Sequence, residues 1–193
     1  MEKPLSNFSR SRKMKFIFRS SFLVFFSMFL LTYAVFAKAS TFSLEEYEVK
    51  AAFLYQFTKF IQWSKNSPKD EIFSICIVGK DPFGQIINEL ESETVDNRKI
   101  EIKRLKFEDV IDSCHVVFIG QTERNRLFSF MENLRGKGIL TVSEIDGFIE
   151  RGGVINFKRQ GSRVGFEINQ KKAEEEGIKI SSKLLSLALE VIS

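Results

Sequence analysis

Segments with strand-like and helix-like patterns alternate along the middle of the chain, and this alternation constrains the fold more than any other feature. Short apolar or alternating runs predict strands, and the amphipathic stretches between them predict helices. We expect strands over residues 72–78, 99–105, 115–119 and 139–142, and helices over residues 81–90 and 122–134. Because parallel strands need crossover connections, the sequence predicts a single Rossmann-like α/β domain with a mostly parallel sheet flanked by helices.

The C-terminal part of the chain departs from this alternation. Residues 154–158 and 163–168 predict two strands joined by the turn-forming residues 159–162. We therefore expect a C-terminal antiparallel hairpin at the edge of the sheet. Residues 170–176 predict a short helix that ends at Gly177, and residues 182–192 predict a final amphipathic helix.

The segment after Thr41 predicts a long helix. Ser43 and Glu46 have the spacing of a capping box, in which each side chain accepts a free backbone N–H at the start of the helix. Apolar side chains then recur at helical spacing, at Val49, Phe53, Phe57, Phe60 and Ile61. Further apolar residues lie around the helix, so it is either sunk in its own core or covered by a dimer mate or a partner.

The N-terminus has the three parts of a secretory signal peptide. Basic residues precede an apolar run over residues 22–37, and Ala37-Lys38-Ala39 places small residues where signal peptidase cleaves. The run is shorter than the roughly 20 residues that span a bilayer, so we favour cleavage over the alternative of a retained anchor. We expect a signal peptide over residues 1–39 and an exported α/β domain over residues 40–193.

Cleavage changes the charge of the chain. Seven of the 29 Lys and Arg residues precede Ser40, whereas Glu2 is the only one of the 25 acidic residues to do so. The exported part then has 22 basic and 24 acidic residues, a net charge of −2. A nucleic-acid partner requires a basic surface, so the sequence argues against one.

Both cysteines, Cys76 and Cys114, belong to the exported part. Two thiols in an oxidising compartment usually form a disulfide, and we expect that bond here. The alternative is two separate buried thiols, which are common in protein cores.

Residues with catalytic side chains are scarce. His115 is the only histidine, so a multi-histidine metal site is excluded, and we expect a structural histidine at a strand end. A hydrolase centred on His115 is the weakest functional alternative. We therefore predict no enzyme, no cofactor and no metal site.

Two loops at strand ends are candidates for binding a small ligand. Lys80 and Asp81 follow the first predicted strand, and Gln121 and Thr122 follow the strand that begins at residue 115. Ligands of α/β sheets bind beyond the carboxyl ends of strands, where helix N-termini attract anions. The spacing is neither a dinucleotide fingerprint nor a Walker loop, and the alternative is an ordinary turn with Pro82 at the first helical position.

Several segments together resemble the YfiR-like family of exported bacterial proteins, in order and over essentially the whole exported part. They are residues 47–54 (Tyr-Glu-Val-Lys-Ala-Ala-Phe-Leu), 76–79 (Cys-Ile-Val-Gly), 81–84 (Asp-Pro-Phe-Gly), 114–120 (Cys-His-Val-Val-Phe-Ile-Gly), 140–143 (Leu-Thr-Val-Ser), 152–157 (Gly-Gly-Val-Ile-Asn-Phe), 166–169 (Phe-Glu-Ile-Asn) and 180–185 (Ile-Ser-Ser-Lys-Leu-Leu).

This resemblance implies a periplasmic regulator rather than an enzyme. It implies a homodimer that represses a membrane-bound diguanylate cyclase by contacting its periplasmic domain, with an outer-membrane lipoprotein relieving the repression. The implied partner contacts lie in two segments: Phe166, Glu167, Ile168 and Asn169, then Ser181, Ser182 and Lys183. The same residues also fit the core face of an edge strand and the cap of a helix. The alternative function is a periplasmic small-ligand receptor without a cyclase partner.

Overall fold

A helix, α1, opens the described part of the chain. The computed structural model describes residues 44–63, 65, 67–121 and 126–193, so the predicted signal peptide, Ser43 and Thr122 lie outside them. Helix α1 covers residues 44–59, and an ion pair between Glu46 and Lys50, one turn apart, stabilises its first turns. The predicted helix is confirmed over its described part.

The other helices are short. They are α2 (Leu127–Leu134), α3 (Gln170–Glu175) and α4 (Ser182–Leu185), with 3₁₀ helices over Ile86–Ser92 and Ile149–Arg151. Among the described residues, no helix is long and apolar enough to cross a membrane.

In the described part of the chain, eight strands form one mixed sheet. They are β2 (Ile72–Val78), β3 (Thr94–Val95), β4 (Arg98–Leu105), β5 (Val116–Ile119), β6 (Leu140–Ser143), β7 (Ile155–Gln160), β8 (Arg163–Asn169) and β10 (Glu190–Ile192). Their order in space is β10-β8-β7-β6-β5-β2-β4-β3. Strands β1 (Ile61–Gln62) and β9 (Lys179–Ile180) form a separate antiparallel pair.

The pairing within the large sheet combines both directions. Strand β2 runs parallel to β4 and β5, β6 runs parallel to β5 and β7, and β10 runs parallel to β8. The pairs β7–β8 and β3–β4 are antiparallel. The predicted α/β class, with flanking helices and an antiparallel hairpin, is confirmed. The narrower description as a mostly parallel, Rossmann-like sheet stays a prediction.

Helices cover both faces of the sheet, which explains why its central strands are apolar throughout. On one side, the α1 face, Phe118 of β5 belongs to the same buried cluster as Leu54 and Phe57 of α1. On the other side, the α2 face, Val117 of β5 packs in a second cluster with Phe130 of α2. Successive side chains of a strand point to opposite faces, so this alternation also assigns the faces of the outer strands.

The hairpin forms as predicted, with Gly161 and Ser162 in the turn between β7 and β8. Its predicted place at the sheet edge is wrong. Strand β6 pairs with β7, and β10 pairs with the far side of β8, so both hairpin strands are interior. The backbone groups of β8 are therefore paired on both sides.

The predicted helix over residues 182–192 is also wrong. Helix α4 ends at Leu185, and Glu190–Ile192 instead pairs with β8, where the Leu189 N–H also donates to the Phe166 carbonyl at 2.8 Å. The free edge of β8 supplies hydrogen-bond partners for a β-branched segment that a helix would leave exposed. The preceding leucines have helical spacing, and for this reason the sequence predicted a helix instead of a strand.

The predicted helix over residues 81–90 is replaced by a turn and the later 3₁₀ helix Ile86–Ser92. The Asp81 carboxylate accepts the backbone N–H groups of Phe83 and Gly84, at 2.7 and 3.2 Å. Gly84 has a φ of 58°, in the left-handed region that an α-helix cannot contain. The turn therefore delays the start of the helix.

A disulfide joins Cys76 of β2 to Cys114, just before β5, with the two Cα atoms 5.9 Å apart. Both cysteines are fully buried in the cluster on the α2 face. The bridge closes a segment of 38 residues and ties together two central strands. The predicted disulfide is confirmed.

We predict that Cys76→Ser lowers the free energy of unfolding by about 2 to 5 kcal/mol, because the unfolded chain regains the freedom that the bridge removes. Cys114→Ser should cost a similar amount, and the double variant little more than either single one, since all three lack the same bond. Urea unfolding of the four proteins measures this. Two titratable thiols in denatured, unreduced wild-type protein would contradict the prediction.

Candidate functional site

The carboxyl ends of β2, β5 and β6 meet at one edge of the sheet. Asp81 lies beyond β2, Gln121 beyond β5, and Glu144 directly follows β6. These are the strand ends at which the sequence predicted ligand binding, and Thr122 lies outside the described residues. The site is therefore the natural place to look for binding chemistry.

The first of these loops uses its carboxylate internally. Besides accepting two N–H groups of its own turn, Asp81 forms an ion pair with Arg104 Nε at 2.7 Å. Arg104 also donates to the Gly84 carbonyl at 2.6 Å. Lys80 is exposed beside this turn. Asp81 thus stabilises the loop, and a role of Lys80 and Asp81 in ligand binding stays a prediction.

A small open cleft lies at the ends of β5 and β6. It is lined by Gln121, Glu144, Ile145 and Asp146. The Gln121 side chain lies 3.5 Å from the Glu144 carbonyl, at the limit of a hydrogen bond. The lining is mainly polar, so the cleft suits a small hydrophilic molecule better than an apolar one.

A buried charged cluster next to this cleft was missed by sequence reasoning. Lys50 of α1 is only 5% exposed, and its Nζ lies 2.5 Å from both Glu46 Oε1 and Glu144 Oε2. The Tyr47 hydroxyl donates to Glu144 Oε1 at 3.0 Å. The i,i+4 spacing of Glu46 and Lys50 was visible in the sequence, but Glu144 lies 94 residues from Lys50, and only the fold brings it there.

The geometry of this cluster indicates a structural role, because its charged and polar groups contact one another. Burial, followed by the charge of Glu144 and the hydrogen bond to it, raises the pKa of Tyr47 far above its ordinary value. Tyr47 therefore stays protonated as a donor. Lys50 engages both carboxylates, so its charge is balanced within the cluster. No group of three metal-ligating His, Cys, Asp or Glu residues occurs among the residues that the structure describes.

His115 is fully buried at the opposite ends of the strands and stacks on Phe73, with ring centroids 4.4 Å apart. Its Nδ1 lies 3.2 Å from the backbone nitrogen of Ser74, and its Nε2 lies 2.8 Å from the Pro68 carbonyl. A backbone N–H can only donate, so Nδ1 accepts and Nε2 carries the proton that it donates to Pro68. Both ring nitrogens are therefore used in holding the chain.

The surroundings of His115 disfavour its charged form, although the hydrogen bond to the Pro68 carbonyl favours it. Burial, followed by the charge of the nearby Arg98 guanidinium 2.8 Å from Nε2, lowers the pKa of His115 to about 4. Asp70 acts in the opposite direction and Lys103 in the same direction as Arg98. A permanently neutral histidine with both nitrogens engaged fits the predicted structural role.

The first implied contact segment alternates between the two faces of β8. Phe166 and Ile168 are buried in the cluster on the α1 face, with Phe166 5.0 Å from the ring of Phe57. Glu167 and Asn169 lie on the opposite face. The Asn169 side chain accepts the Lys172 N–H at 2.8 Å and so caps α3. Of these four, only Glu167 carries a charge, and Lys158 Nζ lies 3.7 Å from its carboxylate.

The second implied contact segment begins α4. The Ser181 hydroxyl accepts the Leu184 N–H at 3.3 Å and caps the helix. Ser182 and Lys183 are exposed, and Lys183 Nζ lies 5.2 Å from the centre of the Phe60 ring. The structure thus leaves Ser182 and Lys183 accessible, whereas Ser181 serves the helix.

The comparisons with known proteins agree with this architecture. The sequence model of the family described as YfiR/HmsC-like matches residues 47–189, well over half of the chain. The chain belongs to the YfiR/HmsC-like family. It is a family of periplasmic, non-catalytic regulators of diguanylate cyclase signalling. The predicted family is therefore confirmed.

A solved structure has a similar fold. It is the crystal structure of a conserved domain protein from Vibrio cholerae O1 biovar El Tor strain N16961, with a TM-score of 0.52 and 13% sequence identity. The likeness covers 75% of this YfiR/HmsC-like chain and 60% of that chain. At this identity it shows the fold alone. A search of curated proteins found no match.

The buried cluster predicts that Lys50 contributes more to the stability of the fold than the exposed Lys137 does. Lys50→Met should lower the free energy of unfolding by about 3 to 5 kcal/mol, because it leaves the largely buried Glu144 without its cation and Glu46 with only the more distant Arg159, at 3.7 Å. Lys137→Met is the matched control, because Lys137 pairs with Asp112 at 2.7 Å while both side chains remain exposed. Its cost should stay below about 1 kcal/mol. Equal losses in urea unfolding would contradict this account of the cluster.

The lowered pKa of His115 predicts that the fold loses stability in acid. Its pKa is about 4 in the fold and 6.5 in the unfolded chain, so only the unfolded chain takes up this proton between those values. Stability should therefore be complete above pH 6.5 and fall by about 3 kcal/mol as the pH drops to 4.

His115→Asn removes this contribution and should cost about 1 to 2 kcal/mol at pH 7. Because acidification to pH 4 costs the wild type about 3 kcal/mol and the variant lacks this histidine, the gap should close and then reverse before pH 4. Because His115 is the only histidine, an NMR titration of protein without a histidine tag reads its pKa directly. A value near 6.5 would overturn the argument.

Proposed function

We propose that this protein is exported to the periplasm and represses an inner-membrane diguanylate cyclase by binding its periplasmic domain. The observation that carries the proposal is the family match over residues 47–189, which spans nearly all of the compact unit Glu45–Ser193. The predicted signal peptide over residues 1–39 supports export, and the disulfide fits an oxidising compartment.

We place the partner contacts on accessible polar groups. Ser182 and Lys183 are exposed at the start of α4, and Glu167 lies on the α2 face of β8. The buried side chains of Phe166 and Ile168 support the contact indirectly, because they fix the strand that carries Glu167. A homodimer, and relief of repression by an outer-membrane lipoprotein, complete the proposed regulatory cycle.

A second candidate function rests on the cleft between β5 and β6. Its polar lining by Gln121, Glu144 and Asp146, at the carboxyl ends of parallel strands, favours a periplasmic receptor for a small hydrophilic ligand. Such a receptor would show ligand-dependent melting without any effect on cyclic di-GMP. The two functions are thus separable by experiment.

Deletion of the gene should raise cellular cyclic di-GMP and with it biofilm formation, because the cyclase loses its repressor. Lys183→Glu should reproduce part of this rise, since a reversed charge at an interface costs a few kcal/mol of binding free energy, and 1.4 kcal/mol is already a tenfold loss. Quantification of cyclic di-GMP in cell extracts is the measurement.

The matched control is Lys106→Glu, an exposed lysine just beyond β4, towards the opposite edge of the sheet from β10. It should leave cyclic di-GMP at the wild-type level, and both variants must keep the wild-type melting temperature. Unchanged cyclic di-GMP in the deletion strain would refute repression of a cyclase. A raised level in the deletion strain with a silent Lys183→Glu would place the contact elsewhere.

A further inference from the structure

Four polar side chains form a row across one side of the sheet. The register places Ser143 of β6 opposite Asn156 of β7, Asn156 opposite Glu167 of β8, and Glu167 opposite Glu190 of β10. All four lie on the α2 face, since Val142, Ile155 and Phe166 beside them face α1. Further along the same face the strands are apolar and covered by α2. The polar row therefore runs from the fully buried Ser143 and Asn156 to the exposed Glu190 on the edge strand.

The two glutamates of the row lie side by side with little compensation. Glu167 has a side chain only 14% exposed, yet its nearest polar partners among the described residues are distant, with Asn156 Nδ2 at 3.4 Å and Lys158 Nζ at 3.7 Å. Lys158 is shared with Asp146, at 3.6 Å. Glu190 is exposed, and its side chain makes no hydrogen bond or ion pair with the described residues. Like charges in register on neighbouring strands destabilise a sheet.

Asn156 adds an independent sign of an unfilled position. It is fully buried, and its Oδ1 has no hydrogen-bond partner among the described residues. The contact of its Nδ2 with Glu167 shows that the amide group lies within the row. A buried acceptor without a donor is unfavourable and rare. The row thus combines excess negative charge with a free acceptor.

We propose that three residues of this row, Asn156, Glu167 and Glu190, bind a lysine or arginine side chain of the protein that the regulator contacts. The cation donates to the two carboxylates and relieves their repulsion, and Asn156 Oδ1 is the neighbouring acceptor for a further N–H. The proposal rests on the proposed function and gives it a chemistry: the partner surface is basic. Lys158, at 3.7 Å from Glu167, sets the limit of the site on one side.

Because Glu190 is exposed, its charge can be reversed without unfolding the domain, so a loss of repression can be distinguished from a loss of folding. Glu190→Lys should raise cyclic di-GMP at least half as far as deletion does, while the melting temperature stays unchanged or rises, because the new cation relieves Glu167 within the free protein. Glu190→Asp should retain repression. Glu89→Lys, an exposed glutamate in the 3₁₀ helix that packs on β4, is the matched control and should be silent.

Suppressor mutations can show whether the partner surface is basic. Starting from Glu190→Lys, selection for restored repression should return changes of Lys or Arg to Glu or Asp in the periplasmic part of the cyclase. Suppressors without a charge change, or a silent Glu190→Lys in a strain where deletion raises cyclic di-GMP, would overturn this inference alone. Unchanged cyclic di-GMP in the deletion strain would instead refute the proposed function itself.

Discussion

The packing of α1 on the hairpin is the interaction on which the rest of the structure depends. Phe57 lies 5.8 Å from the ring of Phe157 in β7 and 5.0 Å from the ring of Phe166 in β8. Aromatic contacts of this kind add to the free energy gained by burying the rings. They dock α1 against the sheet, and this places Lys50 against Glu144 at the end of β6. The buried charged cluster is thus a consequence of where the helix is docked.

The same packing determines which residues are available for function. Ile155 and Phe157 of β7 and Phe166 and Ile168 of β8 face α1 and are buried, so the functional potential of this part of the hairpin lies on the α2 face. The polar groups at the strand ends are largely engaged, with Asp81 held by Arg104 and Glu144 held by Lys50. What remains accessible on the α2 face is charge, as at Glu190 of β10.

Local patterns predicted much of the fold, and the failures have a common cause. The buried strands, the hairpin and the disulfide followed from apolar runs, turn residues and the export context. The segment 186–192 was misread because Leu187 and Leu189 continue the helical spacing of Leu184 and Leu185. The decisive factor was the unpaired edge of β8, which no local pattern reveals. Likewise, the Asp81 turn shortened a predicted helix through side-chain contacts with Phe83 and Gly84.

The candidate site was less predictable than the fold. Sequence reasoning selected Glu167 through a family resemblance, but the neighbours that give it meaning come from different parts of the chain. Asn156 and Glu190 join it only through the register of β7, β8 and β10. Lys50 and Glu144 meet for the same reason, because tertiary packing joins residues that are distant in sequence. Such sites follow from topology, which the sequence specified only in outline.

The central claim is that the exported domain acts on a membrane cyclase by direct binding. Its most direct test is the rate of cyclic di-GMP synthesis by permeabilised membranes from cells that lack the protein, measured before and after addition of purified residues 40–193. The account predicts that the added domain lowers the rate in a saturable manner, and that Glu190→Lys protein does so at much higher concentration. A rate that the wild-type domain leaves unchanged would contradict it.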